Sequence, residues 1–255
     1  MTTTNAAPAL QLPLRSAIER TTAMRLAATE YDRFLSQLRQ LTPDEWARPT
    51  VCPGWDVRAM AGHVLGMAEM SASVAEGIRQ MRTAGKQGGE FIDALTALQV
   101  AKTADLSPTQ LVDRFAAVGP KAARGRRRTP SFVRGRTMPG DQPLGDGGRE
   151  TWKFGFLVDV CLTRDTWMHR LDMCQAVDAK PELTADHDGL LVADVAVEWA
   201  ARHGQPCTLK LGGPAGGTWT WGSGEPLLEL DAVEFCRLLS GRGDAEGLLA
   251  TRVPF

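Results

Sequence analysis

Two side chains spaced four residues apart in a predicted helix are the strongest candidates for chemistry in this sequence of 255 residues. Asp165 and His169 differ in direction by about 40° and are about 6 Å apart along a helix axis, so both can reach one ligand. Carboxylate and neutral imidazole are good zinc ligands, and a catalytic zinc ion typically has three protein ligands and one open position. His63 is the natural third ligand, because it lies in another predicted helix on a core-facing stripe with methionines.

Each of these signals has a structural alternative. A histidine on the apolar face of a helix is most often a hydrogen-bonded core residue, and an Asp-x-x-x-His pair is often only a solvated helix contact. The combination favours a site, because the chain has four histidines and the two earliest both fall on inward faces of predicted helices. The other two, His187 and His203, lie at the ends of a later helix and are expected to be surface or capping residues.

Helical periodicity positions these residues. The apolar spacing predicts helices over 14–41, 56–74, 91–102, 107–123, 151–177 and 185–203, and a last helix after Asp231. The texture changes after Pro181, where the β-rich runs 207–211, 218–221 and 226–230 are separated by glycine turns. The sequence therefore predicts a mainly α fold, with a helical bundle over residues 1–180 and a small α+β domain over residues 181–255.

Capping and turn signals set the ends of several helices. A capping box over residues 42–45 is expected to place Trp46 against the bundle, and a tight turn at Cys52-Pro53-Gly54 precedes Asp56, the N-cap of the second helix. Further capping boxes begin at Ser107 and at Asp231. Cys52 has no evident base partner in the sequence, and we interpret it as structural.

The composition excludes several classes of protein. Twenty-nine basic and 30 acidic residues give a net charge of −1, which is too balanced to make nucleic acid the expected partner. The longest apolar runs fall far short of a membrane span, and the first residues lack the basic start and apolar core of a secretory signal. The five cysteines form no Cys-x-x-Cys pair, which favours reduced thiols. We expect a globular protein that stays in the cytoplasm and has no contact with a membrane.

An arginine-rich stretch, residues 124–149, contains glycine and proline turn signals and is predicted to be a long loop. Such a run is usually a solvated, mobile segment. The alternative is a lid that attracts an acidic substrate. Aromatic interleaving is limited to Phe132, so nucleic-acid binding is the weakest of the three interpretations.

Three segments of the chain resemble one known family, the actinobacterial mycothiol-dependent maleylpyruvate isomerases of the DinB-like superfamily. They are CPGWDVR with HVLG in residues 52–66, RDTWMHRLD in residues 164–172, and the tail from LLSGR to VPF in residues 238–255. The resemblance implies a four-helix bundle with a long crossover, a divalent metal ion held by His63, Asp165 and His169, and mycothiol, a low-molecular-weight thiol, as cosubstrate. Characterised isomerases of this type have glutamate at the position of Asp165, so the shorter side chain changes the coordination distance or leaves room for a water molecule.

The chemistry of such a site follows from the pKa of thiols. A free thiol is only a few per cent thiolate at neutral pH, whereas a thiol coordinated to zinc or another divalent metal is deprotonated. The thiolate could then attack an electrophilic small molecule. If the thiol stays attached, the enzyme is an S-transferase. If addition to a conjugated cis double bond is followed by rotation and expulsion, it is an isomerase, and the sequence does not choose between these outcomes.

Two further residues are candidates for catalysis. Asp172 shares the helical face of His169 and is within reach of an imidazole N–H, although a buried carboxylate paired with Arg170 or Arg58 is an equal alternative. The resemblance makes Arg242 a candidate for binding an anionic part of the thiol or substrate, and the alternative is an arginine that caps helix carbonyls.

Two other classes of function stay open. One is a non-catalytic metal- or ligand-binding regulatory protein of the same fold. The other is metal-dependent hydrolysis with Asp172 as the general base. The oligomeric state, the electrophile and the identity of the metal are not predicted.

Overall fold

The computed structural model describes residues 16–144 and 148–255. Leu14, the predicted start of the first helix, lies outside the described residues, and that helix begins at Arg20. The helices are α1 Arg20–Gln40, α2 Val57–Ala72, α3 Val74–Ala84, α4 Phe91–Thr103, α5 Pro108–Arg128, α6 Ser131–Arg134, α7 Phe154–Phe156, α8 Leu162–Ala176, α9 Asp188–His203 and α10 Ala232–Leu239. A π-helical segment, Leu157–Cys161, joins α7 to α8, and two 3-10 turns span Glu45–Ala47 and Gly247–Ala250. The mainly α fold predicted from the sequence is confirmed.

Four of these helices enclose one apolar core. Helix α1 packs against α5 and α8, and α2 packs against the same two helices, so the four close a ring. Buried side chains from all four helices fill the ring, including Phe34, Met60, Phe115 and Met173. Helices α3 and α4 pack on the outside of α2.

Glycine permits the close approach of α4 to α2. A Cβ atom at Gly62 would lie 2.1 Å from the hydroxyl oxygen of Thr103 on α4, which is far inside van der Waals contact. The smallest residue is therefore required directly before His63, on the face of α2 that meets α4.

The C-terminal part carries a three-stranded sheet and a second core. The central strand β3 Cys207–Gly212 (the third strand of the chain) pairs antiparallel with β4 Gly217–Trp221 and parallel with β5 Leu227–Asp231. One face of this sheet packs with α9 and α10 around Trp199 and Phe235, and Leu26 of α1 and Trp167 of α8 join the same cluster. The C-terminal part thus lies directly on the helical part, and the division after residue 180 stays a prediction.

A buried network of charged groups joins α1, α8 and α9, and it corrects one expectation. His187 is not a surface residue but is 2% exposed, with its Nε2 2.7 Å from the Glu30 carboxylate. Glu30 also accepts a hydrogen bond from Arg170, which in turn donates to Asp188. Because a buried carboxylate needs compensating partners, this network holds the His187 ring inside the protein. His203 packs its ring on Trp199, with 4.3 Å between the centroids.

Only part of the arginine-rich stretch is a loop, and its residues 145–147 lie outside the described residues. Helix α5 continues to Arg128, so its first arginines are helical, and the short helix α6 follows after Pro130. Next come two short paired strands, β1 Gln142–Pro143 and β2 Arg149–Glu150. The predicted helix over 151–177 begins at Phe154 and contains the π-helical segment. The prediction for the second helix extends its buried stripe to Val74, but α2 ends at Ala72. Ser73 separates α2 from α3, and Val74 is 82% exposed.

Among the described residues, no helix combines the length and the apolar character that are needed to cross a membrane.

Candidate metal centre

A tight turn sets the entrance to α2. The amide of Trp55 donates to the carbonyl oxygen of Cys52 at 3.0 Å, Pro53 is the second residue of the turn, and Gly54 has a φ of +79°. This is the pattern of a type II turn, which requires positive φ at its third residue and therefore favours glycine. Asp56 then caps α2 by accepting a hydrogen bond from the Ala59 amide at 2.7 Å, as predicted.

The turn places an aromatic ring against two histidines. The Trp55 ring centroid lies 5.2 Å from that of His63 and 5.9 Å from that of His169. The two imidazoles are 5.2 Å apart and nearly perpendicular, at 87°. His63 is 5% exposed and His169 is 7% exposed, so Trp55 and the surrounding helices shield both rings from water.

Three predicted ligands from two helices converge on one point. The Nε2 atom of His63 lies 3.5 Å from the Asp165 Oδ1 atom, and the Nε2 atom of His169 lies 3.4 Å from the same oxygen. The three ligand atoms all lie within 4.8 Å of one another. The structure therefore brings together His63 of α2 with Asp165 and His169 of α8, as the sequence predicts.

These distances fit the tetrahedral coordination of a cation by the three side chains. Zinc bonds of about 2.0–2.1 Å to nitrogen and oxygen separate neighbouring ligand atoms by about 3.3 Å. The second carboxylate oxygen of Asp165, Oδ2, is buried and has no hydrogen-bond partner among residues 16–144 and 148–255. A buried anionic oxygen without a donor costs free energy, which a bound cation would remove. The shorter arm of aspartate reaches both imidazoles.

The carboxylate of Asp165 and the imidazole of His169 shift each other's pKa. Burial alone would raise the pKa of the Asp165 carboxyl, but the adjacent His169 and His63 outweigh it and hold this pKa well below the usual range. Burial alone would lower the pKa of His169, but the charge of Asp165 and hydrogen bonds with Asp165, Asp172 and Cys52 raise it well above the ordinary value.

The fourth side chain of the centre is Asp172, which orients His169. Its Oδ2 lies 3.3 Å from the Nδ1 atom of His169, which is the outer contact that a metal-ligating histidine usually makes. Both predicted alternative partners of Asp172 are wrong. Arg170 pairs with Glu30 and Asp188, and Arg58 donates to the carbonyls of Ala104 and Leu106.

Two arginines of the C-terminal part hold Asp172 instead. Arg242 donates from Nε and Nη2 at 2.7–2.9 Å, and Arg237 of α10 donates from Nη1 at 3.2 Å. Burial alone would raise the pKa of Asp172, but hydrogen bonds with His169 and Arg242 lower it. Arg242 therefore does not cap helix carbonyls through these atoms. Arg237 was not predicted, because the spacing within α10 gives no sign of a contact with α8.

Cys52 also lies at this site. Its Sγ atom, a His169 ring nitrogen and an Asp172 carboxylate oxygen all lie within 4.8 Å of one another. The premise that Cys52 has no base partner is thus wrong, since the type II turn places its thiol beside an imidazole.

The other ring nitrogen of His63, Nδ1, is buried without a partner in the described part of the chain, in contrast to that of His169.

A comparison with protein families decides where the chain belongs. The family model of the mycothiol maleylpyruvate isomerase N-terminal domain matches residues 27–174, which is more than half of the chain. The chain belongs to this family. The matched range includes His63, Asp165, His169 and Asp172, whereas Arg237 and Arg242 lie beyond it.

Solved structures and curated relatives extend the likeness over most of the chain. Crystal structures of the mycothiol-dependent maleylpyruvate isomerase and of a histidine-to-alanine mutant each align with a TM-score of 0.54 and 18% sequence identity, covering 89% of this chain and 90% of the matched chain. The uncharacterized proteins Rv0036c and MT0041 of two Mycobacterium tuberculosis strains, H37Rv and CDC 1551, are 26% identical over 232 residues. That alignment covers 84% of this chain and 82% of each relative. The shared fold thus includes the C-terminal α+β part of this family member.

Proposed function

We propose that this protein is a divalent-metal-dependent enzyme that uses mycothiol as a cosubstrate and acts as an isomerase or S-transferase on an electrophilic small molecule. The convergence of His63, Asp165 and His169 on one point carries the proposal. Membership of the mycothiol maleylpyruvate isomerase family supports it, as does the fold shared with the mycothiol-dependent maleylpyruvate isomerase. We place the activity in the cytoplasm, and the five free cysteines are consistent with a reducing compartment.

The three ligands divide into a carboxylate and two imidazoles, which suits zinc. Zinc bound there would supply Lewis acidity that lowers the pKa of a thiol in the open position. His169 is kept in one ring orientation by Asp172 through Nδ1, so its Nε2 points toward Asp165. Trp55 covers the two imidazoles and excludes water from one side of the centre.

Arg242 is the group best placed to bind an anion at this site. Asp172 fixes its Nε and Nη2 atoms, while Nη1 makes no hydrogen bond within the described ranges. A guanidinium with a free N–H edge recognises carboxylate well, because its donors lie in a rigid plane. We infer that Arg242 positions a carboxylate of the thiol or of the electrophile, and that residues 181–255 act as a domain that closes one side of the site.

Isomerisation and transfer differ in the fate of the thioether. Addition of the thiol sulfur to a conjugated double bond leaves a single bond that can rotate, and expulsion of the same thiol then gives the trans isomer. Retention of the thiol gives a conjugate. The family match favours isomerisation, and the question is decided by whether mycothiol is recovered unchanged.

The test combines metal content with turnover. The protein, loaded with zinc and freed of excess metal, is expected to retain about one equivalent by elemental mass spectrometry and to isomerise maleylpyruvate or form a conjugate when mycothiol is present. His169→Ala should lose both metal and activity, whereas the control His203→Ala, a histidine outside the centre, should keep both. Saturable mycothiol binding without any product would make the protein a binding protein and would refute the enzymatic proposal.

A further inference from the structure

A second cavity lies away from the metal centre. It has a volume of about 640 Å³ and is formed by the last turn of α2, by α3, by the end of α5 and by the π-helical segment before α8. Met70 of its wall follows His63 by seven residues on α2, which separates them by about 10 Å along the helix axis. Its volume is in the usual range for small-molecule sites, about 300–1,000 Å³.

The interior of this cavity is apolar. Its wall includes Met70, Ile78 and Met81 on one side and Leu157, Val158 and Leu162 on the other. Ile78 is 40% exposed and Val74, also in the wall, is 82% exposed. Large aliphatic side chains that face water around a concave surface are typical of a binding site for an apolar group.

The rim of the cavity is cationic. Lys121, Arg124 and Arg128 lie three and four residues apart on α5, so they share the helix face that borders the cavity. Among the described residues, none of these three forms an ion pair, and no Asp or Glu lines the cavity. Like charges at this spacing repel one another. The helix dipole explains basic residues in the last turn of α5, but Lys121 lies two turns before the end.

A buried arginine adds positive charge to the same wall. Arg126 is 2% exposed, and it donates from Nε to the Val158 carbonyl at 2.9 Å and from Nη2 to the Thr163 hydroxyl at 2.5 Å. Its guanidinium lies 5.8 Å from the Tyr31 ring centroid. No carboxylate among the described residues pairs with Arg126. A buried guanidinium held only by neutral groups gives this end of the cavity a positive potential.

We propose that the cavity binds an anionic amphiphile, a free aliphatic carboxylate of medium chain length. The apolar chain would lie between α3 and the π-helical segment, with the carboxylate at the rim near Arg124 and Arg128. The concave shape of the cavity would bury the apolar tail of the ligand. Because no acidic residue lines the cavity in the described part of the protein, an anion should be preferred. The site uses no residue of the metal centre and is independent of the function proposed for that centre.

The first experiment is isothermal titration of the full-length protein with decanoate, in the metal-free and the zinc-loaded forms. We expect saturable one-to-one binding with the same affinity in both forms. Decyltrimethylammonium, which has the same tail and the opposite charge, and butanoate, which has the same headgroup and a short tail, should each bind at least about tenfold more weakly. Equal binding of decanoate and decyltrimethylammonium, or no saturable binding of decanoate, would overturn the proposal.

Variants then locate the site. The double variant Arg124→Gln/Arg128→Gln should weaken decanoate binding about tenfold, because two rim charges are lost. The matched control is Arg127→Gln, since Arg127 lies in the same turn of α5 but does not line the cavity. Ile78→Gln should weaken decanoate binding because it makes the apolar wall polar. The preference for decanoate over decyltrimethylammonium should stay unchanged. If Arg127→Gln weakens binding as much as the double variant, the effect is one of overall charge and the site assignment is wrong.

Two other occupants would contradict the proposal. Decanoate binding that appears only after residues 1–15 are deleted would identify that segment of the chain as the occupant. A dimer in sedimentation velocity that dissociates in Ile78→Gln would identify a second copy. If the cavity binds the amphiphile as proposed, the wild-type protein binds decanoate without truncation, and Ile78→Gln leaves the oligomeric state unchanged.

Discussion

Replacing Asp172 by asparagine should weaken both the metal centre and the contact between the two parts of the chain. Asp172 is fully buried and accepts hydrogen bonds from Arg242 and Arg237, whose side chains are 15% and 13% exposed. Its Oδ2 also contacts Nδ1 of His169. Asp172→Asn preserves the shape but removes the charge, so Arg242 loses its counterion and Arg237 keeps only the exposed Glu234, 4.0 Å away.

The magnitude follows from these contacts. Breaking a buried ion pair costs about 3–5 kcal/mol, and the partial exposure of both guanidinium groups reduces the expected loss of unfolding free energy to about 2–4 kcal/mol. Loss of the outer contact to His169 should reduce zinc affinity about 10- to 100-fold. Urea unfolding measures the first effect, and competition with a zinc chelator measures the second. Glu234→Gln is the matched control, because Glu234 is exposed and lies 4.0 Å from Arg237, and it should change neither quantity appreciably.

A double-mutant cycle separates the ion pair from general damage. Arg242→Gln removes the main partner of Asp172, and in the double variant with Asp172→Asn a large part of the loss from the two single variants should be recovered. We expect a coupling free energy of about 1–3 kcal/mol for groups in direct contact. Additive losses, together with zinc affinity unchanged in Asp172→Asn, would refute the role that we assign to this carboxylate.

Three other predictions concern the framework of the site. Burial alone would raise the pKa of Asp188, but the Thr184 amide and other donors lower it below its ordinary value. The contribution of Asp188 to stability is therefore present above about pH 4 and lost as the pH falls. Asp188→Asn should flatten the pH dependence of urea unfolding below that pH. Gly62→Ala should destabilise the protein by about 1–3 kcal/mol, because its Cβ would collide with Thr103, and thermal unfolding measures this. Gly54→Ala meets no atom within 4 Å but forces an alanine to positive φ, so about 1 kcal/mol is expected in the same assay. A larger loss for Gly54→Ala than for Gly62→Ala would contradict both explanations.

Features that depend on neighbouring residues were predictable from the sequence. The N-caps Asp56, Ser107 and Asp231 all accept the expected backbone hydrogen bonds, because a cap needs only the right side chain three residues before an amide. The three C-terminal strands also match to within a residue or two. The convergence of His63 with Asp165 and His169 was predictable because both helix faces point inward.

Features that depend on distant residues were not predictable. Glycine and arginine at the end of α5 suggested a loop, but Gly125 permits close contact with α2, where a Cβ would lie 2.1 Å from the Ser71 carbonyl oxygen. His187 is buried by Glu30, which lies 157 residues earlier. Cys52 reaches His169 through a turn whose direction the sequence does not reveal. In each case the deciding partner is remote in sequence and leaves no periodic signal.

The central claim is that His63, Asp165 and His169 share one divalent cation. The most direct test is a crystal structure of the zinc-loaded protein with anomalous data collected on both sides of the zinc absorption edge. We predict a single strong peak within about 2.0–2.2 Å of the His63 and His169 Nε2 atoms and an Asp165 carboxylate oxygen. No anomalous peak in the presence of excess zinc, or a peak bound by other side chains with these three left apart, would contradict the account.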